Sequence, residues 1–195
     1  SVSEIFGNLI IGNELHLLSD DIKKDADALA DYLDYNLINI SYLPPVVLSN
    51  LDNIRKYPEL SKVIYAGEPC PKSISKLWQN KVELYNYYGP TEVSIYCLGL
   101  RINLAQVEQI GRPIQNTTTY ILDINLSPLP VGAIGELYVG GAGVARGYLN
   151  KPELTAERFI DNPFATAKDL ANGYTRIYKT GDLVRMLPDG NIEYI

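Results

Sequence analysis

The chain has 195 residues, of which 46% are hydrophobic and 21% charged, a composition typical of a soluble globular protein. Its formal net charge of −6 excludes an extended basic surface for nucleic acid or an anionic membrane. No apolar run approaches the roughly 20 residues of a membrane-spanning helix, and the first residues predict no signal peptide. Cys70 and Cys97 form neither a CxxC pair nor a metal-binding cluster, so we expect a reducing, cytoplasmic environment.

The first half of the chain, residues 1–97, alternates between short apolar strands and amphipathic helices. Strands are predicted at 15–18, 37–43, 62–66 and 82–85, and helices at 22–33, 46–54 and 71–80. Ser19 or Asp20 is placed to cap the first helix, whose apolar residues recur at helical spacing on one face. Pro44 follows the second strand and ends it, because proline cannot donate a ladder hydrogen bond. This β-α-β order predicts a parallel sheet covered by helices.

In the second half, residues 98–195, long helical periodicity disappears and short β-rich runs are separated by glycine and proline turns. Strands are predicted at 118–122, 135–139, 183–187 and 192–195, with a capped helical turn at 150–159 that has Pro152 near its start. The dipeptide Asp189-Gly190 lies between two of these runs and predicts a hairpin. We therefore expect an α/β chain, with a parallel β-α-β subdomain at 1–97 followed at 98–195 by a small, mostly antiparallel sheet or distorted barrel.

The segment NYYGPTE, residues 86–92, leaves the carboxyl end of a predicted buried strand, where ligands of parallel α/β sheets bind. Tyr88 could stack on a base, while Thr91 and Glu92 offer the hard oxygen ligands that Mg²⁺ prefers. The same residues also fit a tight turn at Gly89 that carries a surface acid. Spacing alone leaves both alternatives open.

A glycine-rich segment, GELYVGGAGVARGY, spans residues 135–148 and runs from a predicted strand into a loop. Its glycines let the backbone approach either a ligand or another backbone segment closely. The segment is not a dinucleotide-binding fingerprint, because no βαβ unit surrounds it. Judged from its own sequence, such a loop is more often structural than catalytic.

A third segment, YKTGDL at residues 178–183, predicts a turn that leads into a strand. Asp182 lies beside Gly181 and could accept hydrogen bonds from two neighbouring hydroxyls, as an acid does from the ribose of a bound dinucleotide. Thr-Gly-Asp is also common in ordinary turns, so a plain turn is the alternative.

Taken together, these segments resemble the amino-acid adenylation domains of nonribosomal peptide synthetases, members of the adenylate-forming family that includes acyl-CoA ligases and luciferases. The resemblance covers nearly the whole chain and follows the family's order and spacing. It rests on SVSEIFG, NYYGPTE, GELYVGGAGVARGYLNKPELTAERF, YKTGDL and DGNIEYI. An acyl-CoA or aryl-acid ligase of the same family is the alternative, but the complete NYYGPTE and PELTAERF stretches favour amino-acid activation.

The resemblance implies an ATP or AMP site whose adenine, ribose and metal side belongs to this chain. Tyr88 would stack on adenine, Asn86 would hydrogen-bond the amino edge of the base, and Asp182 would hold the ribose hydroxyls. Thr91 would contact the α-phosphate and Glu92 would bind Mg²⁺, which makes these two the catalytic candidates. The other residues implied to contact the nucleotide are Gly67, Glu68, Gly89 and Tyr194.

The resemblance also implies a pocket for the amino-acid substrate. Tyr87 and Tyr96 are bulky and would shorten this pocket, whereas Ser3 stands where the family often has an aromatic residue and would open one wall. The balance favours a small or medium-sized substrate, and ordinary core packing of the tyrosines is the alternative. The pocket positions implied are Ser3, Tyr42, Ile64, Ala66, Tyr87, Ile95 and Tyr96.

The implied reaction is attack of an amino-acid carboxylate on the α-phosphorus of ATP, which releases pyrophosphate and leaves an aminoacyl-AMP. The acyl group would then pass to the phosphopantetheine thiol of a peptidyl carrier protein, with neighbouring synthetase domains as further partners. The family's phosphate-binding loop, the aspartate that pairs with the substrate's amino group, and the C-terminal subdomain with its catalytic lysine lie outside these 195 residues. We therefore expect this stretch by itself to be catalytically inactive. The alternative to an enzyme is a non-catalytic, isolated subdomain that folds and binds adenine nucleotide at most weakly.

Overall fold

The structure, a computed structural model, describes residues 2–51, 57–103, 106 and 108–195. It divides the chain into two compact units, Ser1–Tyr85 with Arg101–Val107, and Asn86–Leu100 with Glu108–Ile195. The boundary at residue 97 between an α/β subdomain and a β-rich subdomain stays a prediction. Among the described residues, no helix has both the length and the apolar character that a membrane span requires.

In its described residues, the first unit contains a parallel strand pair and five helices. β1 and β2 run parallel, with Tyr42 opposite Ile64, which agrees with the parallel arrangement expected for this half of the chain. β3 begins in this unit and continues into the second. The elements are α1 (Val2–Leu9), α2 (Asp20–Lys24), α3 (Ala26–Tyr35), β1 (Ile40–Tyr42), α4 (Pro45–Leu51), β2 (Lys62–Ala66), α5 (Lys72–Trp78) and β3 (Glu83–Tyr88).

Capping residues divide the predicted first helix into two. Ser19 Oγ accepts from the backbone N–H of Ile22 at 3.4 Å and starts α2, so its predicted capping role is confirmed. Asp25 then leaves the helical conformation, with φ −114° and ψ 115°, and caps α3 by accepting from the N–H groups of Asp27 and Ala28. The short side chain of Asp25 competes for backbone donors, and this competition splits the helix.

Two strands predicted in the first unit also differ from the structure. Residues 15–18 form no strand, because His16 contacts a helix instead, with its Nδ1 3.3 Å from the hydroxyl of Tyr32. The strand predicted at 37–43 is shorter because Leu37 has a φ of 52° and belongs to the turn after α3. Of the helix predicted at 46–54, residues 46–51 belong to α4 (Pro45–Leu51), and residues 52–54 lie outside the described residues.

The core of the first unit is organised around Trp78, which is fully buried at the end of α5. Its indole N–H donates to the carbonyl of Leu48 at 3.1 Å, and Tyr57 stacks on the ring with centroids 5.9 Å apart. A buried indole is tolerated when its N–H has a partner, and here the partner lies on α4. Strand residues Val63 and Leu84 complete the buried layer.

The second unit is an open, mainly antiparallel sheet. Its strands follow the order β4-β5-β10-β9-β7-β6, each paired antiparallel to the next, and β8 pairs with β9. Since no pairing of β4 with β6 is found among the described residues, the expected sheet is present and a closed barrel is not. The elements are β4 (Leu98–Arg101), β5 (Gln109–Pro113), β6 (Thr117–Leu122), β7 (Ile134–Gly141), α6 (Pro152–Arg158), β8 (Phe159–Asp161), α7 (Ala167–Ala171), β9 (Arg176–Met186) and β10 (Ile192–Tyr194).

The turn between β9 and β10 is the predicted hairpin. Gly190 has a φ of 83°, which suits glycine, and the Asp189 carboxylate accepts from the N–H of Asn191 at 3.0 Å.

The predicted cap of the helical turn at 150–159 is wrong, because Lys151 precedes α6 and makes no side-chain capping bond. Pro152, which has no N–H to satisfy, starts the helix as expected.

We predict that Gly111→Ala destabilises the chain much more than Gly132→Ala, although both glycines have a φ near 90°. A Cβ at Gly111 would lie 2.1 Å from the carbonyl oxygen of Gly99, whereas one at Gly132 would meet nothing within 4 Å. The shared backbone conformation costs about 1–2 kcal/mol in either variant, and the clash adds about 1–3 kcal/mol at Gly111. Urea unfolding of both variants measures the difference, and equal losses of stability would contradict the packing of β4 on β5.

Candidate functional site

Asp182, the carboxylate expected to hold the ribose, lies in a bulge of β9. On one side of the bulge Tyr138 of β7 pairs with Lys179, and on the other Glu136 pairs with Leu183. Three residues of β9, 180–182, therefore stand opposite a single residue of β7. The segment predicted as a turn leading into a strand is thus an irregularity inside one continuous strand, and it bends the ladder locally.

Hydrogen bonds fix the shape of this bulge. Gly181 has a φ of 85°, and its N–H donates to the Glu136 carboxylate at 2.9 Å. The Thr180 hydroxyl donates to the carbonyl of Leu137 at 2.8 Å and accepts from the N–H of Asp182 at 3.0 Å. Because the backbone N–H of Asp182 is hydrogen-bonded to Thr180 within the bulge, the position from which its carboxylate extends is fixed.

The Asp182 carboxylate accepts hydrogen bonds from two tyrosine hydroxyls in the second unit. Tyr88, at the end of β3, donates to Oδ2, and Tyr194, on β10, donates to Oδ1 at 3.2 Å. The structure therefore brings together three of the residues implied to contact the nucleotide. A carboxylate that accepts two adjacent hydroxyls has the acceptor arrangement that a ribose diol requires.

The pKa values of the two tyrosines that contact Asp182 are raised, so both phenols are protonated. Burial raises the pKa of Tyr88 well above its ordinary value, and the hydrogen bond to Asp182 raises it further. The pKa of Tyr194 is raised first by the charge of Asp182 and then by burial. Burial also raises the pKa of the Cys97 thiol to about 12, so this cysteine is a neutral core residue without thiolate character.

Asn86 is buried next to this cluster. Its amide nitrogen donates to the backbone carbonyl of Gln109 at 3.1 Å, which holds the side chain on β5. With the nitrogen used in this way, the amide oxygen is the atom that would receive a base amino group. Gly67, with a φ of 85°, and Glu68 lie in the exposed loop after β2 in the other unit.

Glu92 belongs to a second hydrogen-bonded cluster, around the short 3-10 helix Thr91–Val93. The Tyr148 hydroxyl donates to Glu92 Oε1 at 2.6 Å and lies 3.4 Å from the Tyr178 hydroxyl. Burial opposes ionisation of Glu92, but these phenols and the nearby Arg158 charge outweigh it, so the pKa of the carboxyl is lowered. Glu92 is thus held as an anion beside the exposed Thr91.

The glycine-rich loop packs its backbone on this 3-10 helix. A Cβ at Gly143 would lie 2.7 Å from the carbonyl oxygen of Val93, and the Ser94 hydroxyl donates to the Gly143 carbonyl at 2.8 Å. The N–H of Ala145 donates to the carbonyl of Glu92 at 2.8 Å. Of the two alternatives that the sequence left open, the structure therefore shows the close approach to another backbone segment.

The residues implied to line the substrate pocket fall in both units. In the second unit Tyr87 and Tyr96 lie with ring centroids 4.6 Å apart, and Ile95 has a φ of 82° and is partly exposed. A Cβ at Gly99 would meet the Tyr87 ring at 2.5 Å, so that glycine makes room for the tyrosine. The first unit holds Ser3, Tyr42, Ile64 and Ala66 on α1, β1 and β2.

Sequence reasoning gave no role to Tyr148 or Tyr178, although both stand inside segments that carried the resemblance. Nothing in the sequence spacing indicates that Tyr148 meets Glu92, since 56 residues separate them. For Tyr178, alternation gives no signal, because the adjacent Ile177 and Tyr178 are both buried, each in a different hydrophobic cluster.

Residues 1–149 match the family model described as AMP-binding enzyme. The chain belongs to this family. Its curated relatives include tyrocidine synthase 3 of Brevibacillus parabrevis, which is 44% identical over 98% of the chain, and gramicidin S synthase 1 of Brevibacillus brevis, which is 39% identical over the whole chain. The chain spans 3% and 17% of the length of these two proteins.

Solved structures of this family resemble the chain as well. The crystal structure of the nonribosomal peptide synthetase FmoA3 matches all of the chain with a TM-score of 0.86 and 28% identity, over 22% of its own length. That of holo-AB3403, a four-domain nonribosomal peptide synthetase bound to AMP and glycine, matches 94% of the chain with a TM-score of 0.82 and 32% identity, over 14% of its length. The resemblance to nonribosomal peptide synthetases inferred from the motifs is confirmed.

We predict that the stabilising effect of Glu92 disappears in acid. Because its pKa is lowered on folding, ionised Glu92 contributes stability above the unfolded pKa of about 4.3, and this contribution is lost as the pH falls through the folded value. The difference in unfolding free energy between the native chain and Glu92→Gln should therefore be larger at pH 7 than at pH 3. Ile124→Val, at an exposed side chain that carries no titratable group, is the control and should show the same difference at both pH values. A Glu92 difference that does not narrow in acid would contradict the hydrogen-bond assignment.

Proposed function

We propose that this chain forms the adenine, ribose and metal side of an adenylation domain that activates an amino acid with ATP. The product is an aminoacyl-AMP, whose acyl group is then loaded onto the phosphopantetheine of a peptidyl carrier protein in cytoplasmic peptide synthesis. The observation that carries the proposal is the Asp182 carboxylate held on its bulge with two tyrosine hydroxyls as donors. Membership in the AMP-binding enzyme family supports a nucleotide ligand.

In this proposal each residue of the Asp182 cluster has one binding task. The ribose hydroxyls donate to the Asp182 carboxylate, taking the place of at least one phenol. Tyr88 then turns its ring to the adenine, and Tyr194 flanks the nucleotide. Asn86 accepts from the amino edge of the base through its amide oxygen, because its nitrogen already donates to Gln109. The backbone at Gly89, in the same unit, is assigned to the nucleotide as well.

The residues around Glu92 fit a magnesium ion that arrives with the nucleotide. Mg²⁺ prefers oxygen ligands and is commonly bound through one or two carboxylates plus substrate phosphates, with several waters retained. Glu92 offers a carboxylate held as an anion and Thr91 an exposed hydroxyl. Among the described residues, no group of three or more acidic, histidine or cysteine side chains is arranged so that it could hold a metal ion by itself. This donor set suits a phosphate-bound ion better than an all-protein cage. When bound, the ion would neutralise charge on the phosphates.

Catalysis in this reaction consists mainly of positioning and charge neutralisation. The substrate carboxylate attacks the α-phosphorus, the bond to pyrophosphate breaks, and the residues of this chain hold the base, sugar and α-phosphate in line for attack. We propose that other segments of a longer polypeptide supply the phosphate-binding loop, the amine-pairing aspartate and the lysine. The small share of the relatives' length that this chain spans supports that view.

The reaction class is tested by ATP–pyrophosphate exchange with the complete adenylation domain that contains this chain. We expect exchange that depends on an amino acid and, because Tyr87 and Tyr96 occupy the implied pocket, is strongest with small or medium-sized side chains. Fatty and aryl acids should give no exchange above background. Exchange stimulated only by those acids would replace the amino-acid assignment with the acyl-CoA or aryl-acid ligase alternative, and no exchange with any acid would indicate a non-catalytic nucleotide-binding unit.

We predict that Asp182→Asn weakens AMP binding by about 10- to 100-fold, as expected for loss of a hydrogen bond to a charged group. Calorimetric titration of the same domain with AMP measures the effect. The matched control is Asp161→Asn, an exposed aspartate at the end of β8, and its affinity should remain that of the native protein. Equal affinities for the Asp182 variant and the control would remove Asp182 from the ribose site.

A further inference from the structure

Tyr148 is anchored to helix α6 at the end of the glycine-rich loop. Its backbone N–H donates to the Thr155 hydroxyl at 2.9 Å. The preceding residue, Gly147, has a φ of 139°, and a Cβ there would lie 2.3 Å from the methyl carbon of Thr155. Only a glycine lets the chain pass this close to α6, and this close approach fixes the backbone position of Tyr148.

The ring of Tyr148 is also held in place. Phe159 meets it edge-on, with centroids 5.4 Å apart and planes at 72°. Its hydroxyl is then 2.6 Å from Glu92 Oε1 and 3.4 Å from the Tyr178 hydroxyl. A side chain supported at its backbone, its ring and its hydroxyl group has little rotational freedom left.

The same loop fixes the backbone of Glu92, since the N–H of Ala145 donates to the Glu92 carbonyl at 2.8 Å. The loop therefore fixes both the backbone position of Glu92 and the orientation of its carboxylate. The phenols of Tyr148 and Tyr178 use only part of the accepting capacity of the Glu92 carboxylate, since a carboxylate has about four lone-pair directions. The rest of that capacity suits a cation.

We propose that Tyr148 is a positioning residue that orients Glu92 for its metal ion, and that the glycine-rich loop exists at this site to deliver it. The inference rests on the proposed function, because it takes Glu92 as the metal ligand. Outer hydrogen-bond partners of metal ligands typically change metal affinity by about 10- to 100-fold when they are removed. The tyrosine itself touches neither metal nor nucleotide.

The test uses the complete adenylation domain and measures metal binding without turnover. Mn²⁺ replaces Mg²⁺, and free Mn²⁺ is followed by electron paramagnetic resonance in the presence of ATP. We expect Tyr148→Phe to weaken Mn²⁺ binding by about 10-fold or more and to leave the affinity for ATP without metal unchanged. Tyr120→Phe is the matched control, because Tyr120 packs on Phe164 in the same unit and away from Glu92, and it should bind Mn²⁺ like the native protein.

A double-mutant cycle separates positioning from general support of the fold. If Tyr148 acts through Glu92, Tyr148→Phe should add nothing to the loss already caused by Glu92→Gln, whereas independent effects would add. Phe159→Leu gives a second route, since it keeps the hydroxyl but loosens the ring, and it should cause a smaller loss of Mn²⁺ affinity. Additive losses, or equal weakening of ATP binding with and without metal, would overturn the positioning role.

The outcomes also distinguish this inference from the proposed function. If Glu92→Gln weakens Mn²⁺ binding but Tyr148→Phe does not, the metal role of Glu92 stands and the role of Tyr148 is wrong. If neither variant changes Mn²⁺ binding, Glu92 is not the metal ligand and both proposals fail at that residue. Thermal unfolding of each variant, compared with Tyr120→Phe, identifies any loss that comes from unfolding.

Discussion

The bulge of three residues in β9 is the constraint on which the candidate ribose site depends. Three residues against one add two positions to the strand, so the alternation of inward and outward side chains is preserved on both sides of the bulge. Tyr178 before it and Val184 after it both stay in the core. The strand can therefore project Asp182 out of the ladder without losing its buried face, and a carboxylate is placed beside β3 and β10.

Both carboxylates of the candidate site are held by neutral phenols. Asp182 accepts from Tyr88 and Tyr194, and Glu92 accepts from Tyr148. A phenol fixes the direction of a carboxylate but leaves its negative charge in place, whereas a directly paired lysine or arginine would neutralise it. The phenols are protonated donors at neutral pH, and their pKa values are raised above the ordinary value. Such anions are prepared for sugar hydroxyls and for a cation, which is what a metal–nucleotide ligand presents.

Much of the fold follows from local sequence. β2 is found at the predicted residues 62–66, and β6 begins one residue before its predicted start, because the apolar and β-branched runs are short and bounded by turn residues. The hairpin at Asp189-Gly190 also follows from its own two residues. The secondary-structure predictions are wrong where another contact competes with the local pattern. Residues 15–18 contact α3 through His16 and form no strand, and the Asp25 side chain caps α3 and so divides the predicted helix.

The sequence by itself determined the family and the residue types of the site, because motifs such as NYYGPTE and YKTGDL are local strings that can be recognised without a fold. Only the tertiary structure decided which residues meet. Tyr88 and Asp182 are 94 positions apart, and Glu92 and Tyr148 are 56 apart. No spacing rule reaches over such distances, because the register of β9 on β7 and the path of the glycine loop over the 3-10 helix are set by long-range pairing and packing. The sequence of the glycine-rich loop allows a close approach to either a ligand or another backbone segment, and the tertiary structure places its backbone against that of Glu92.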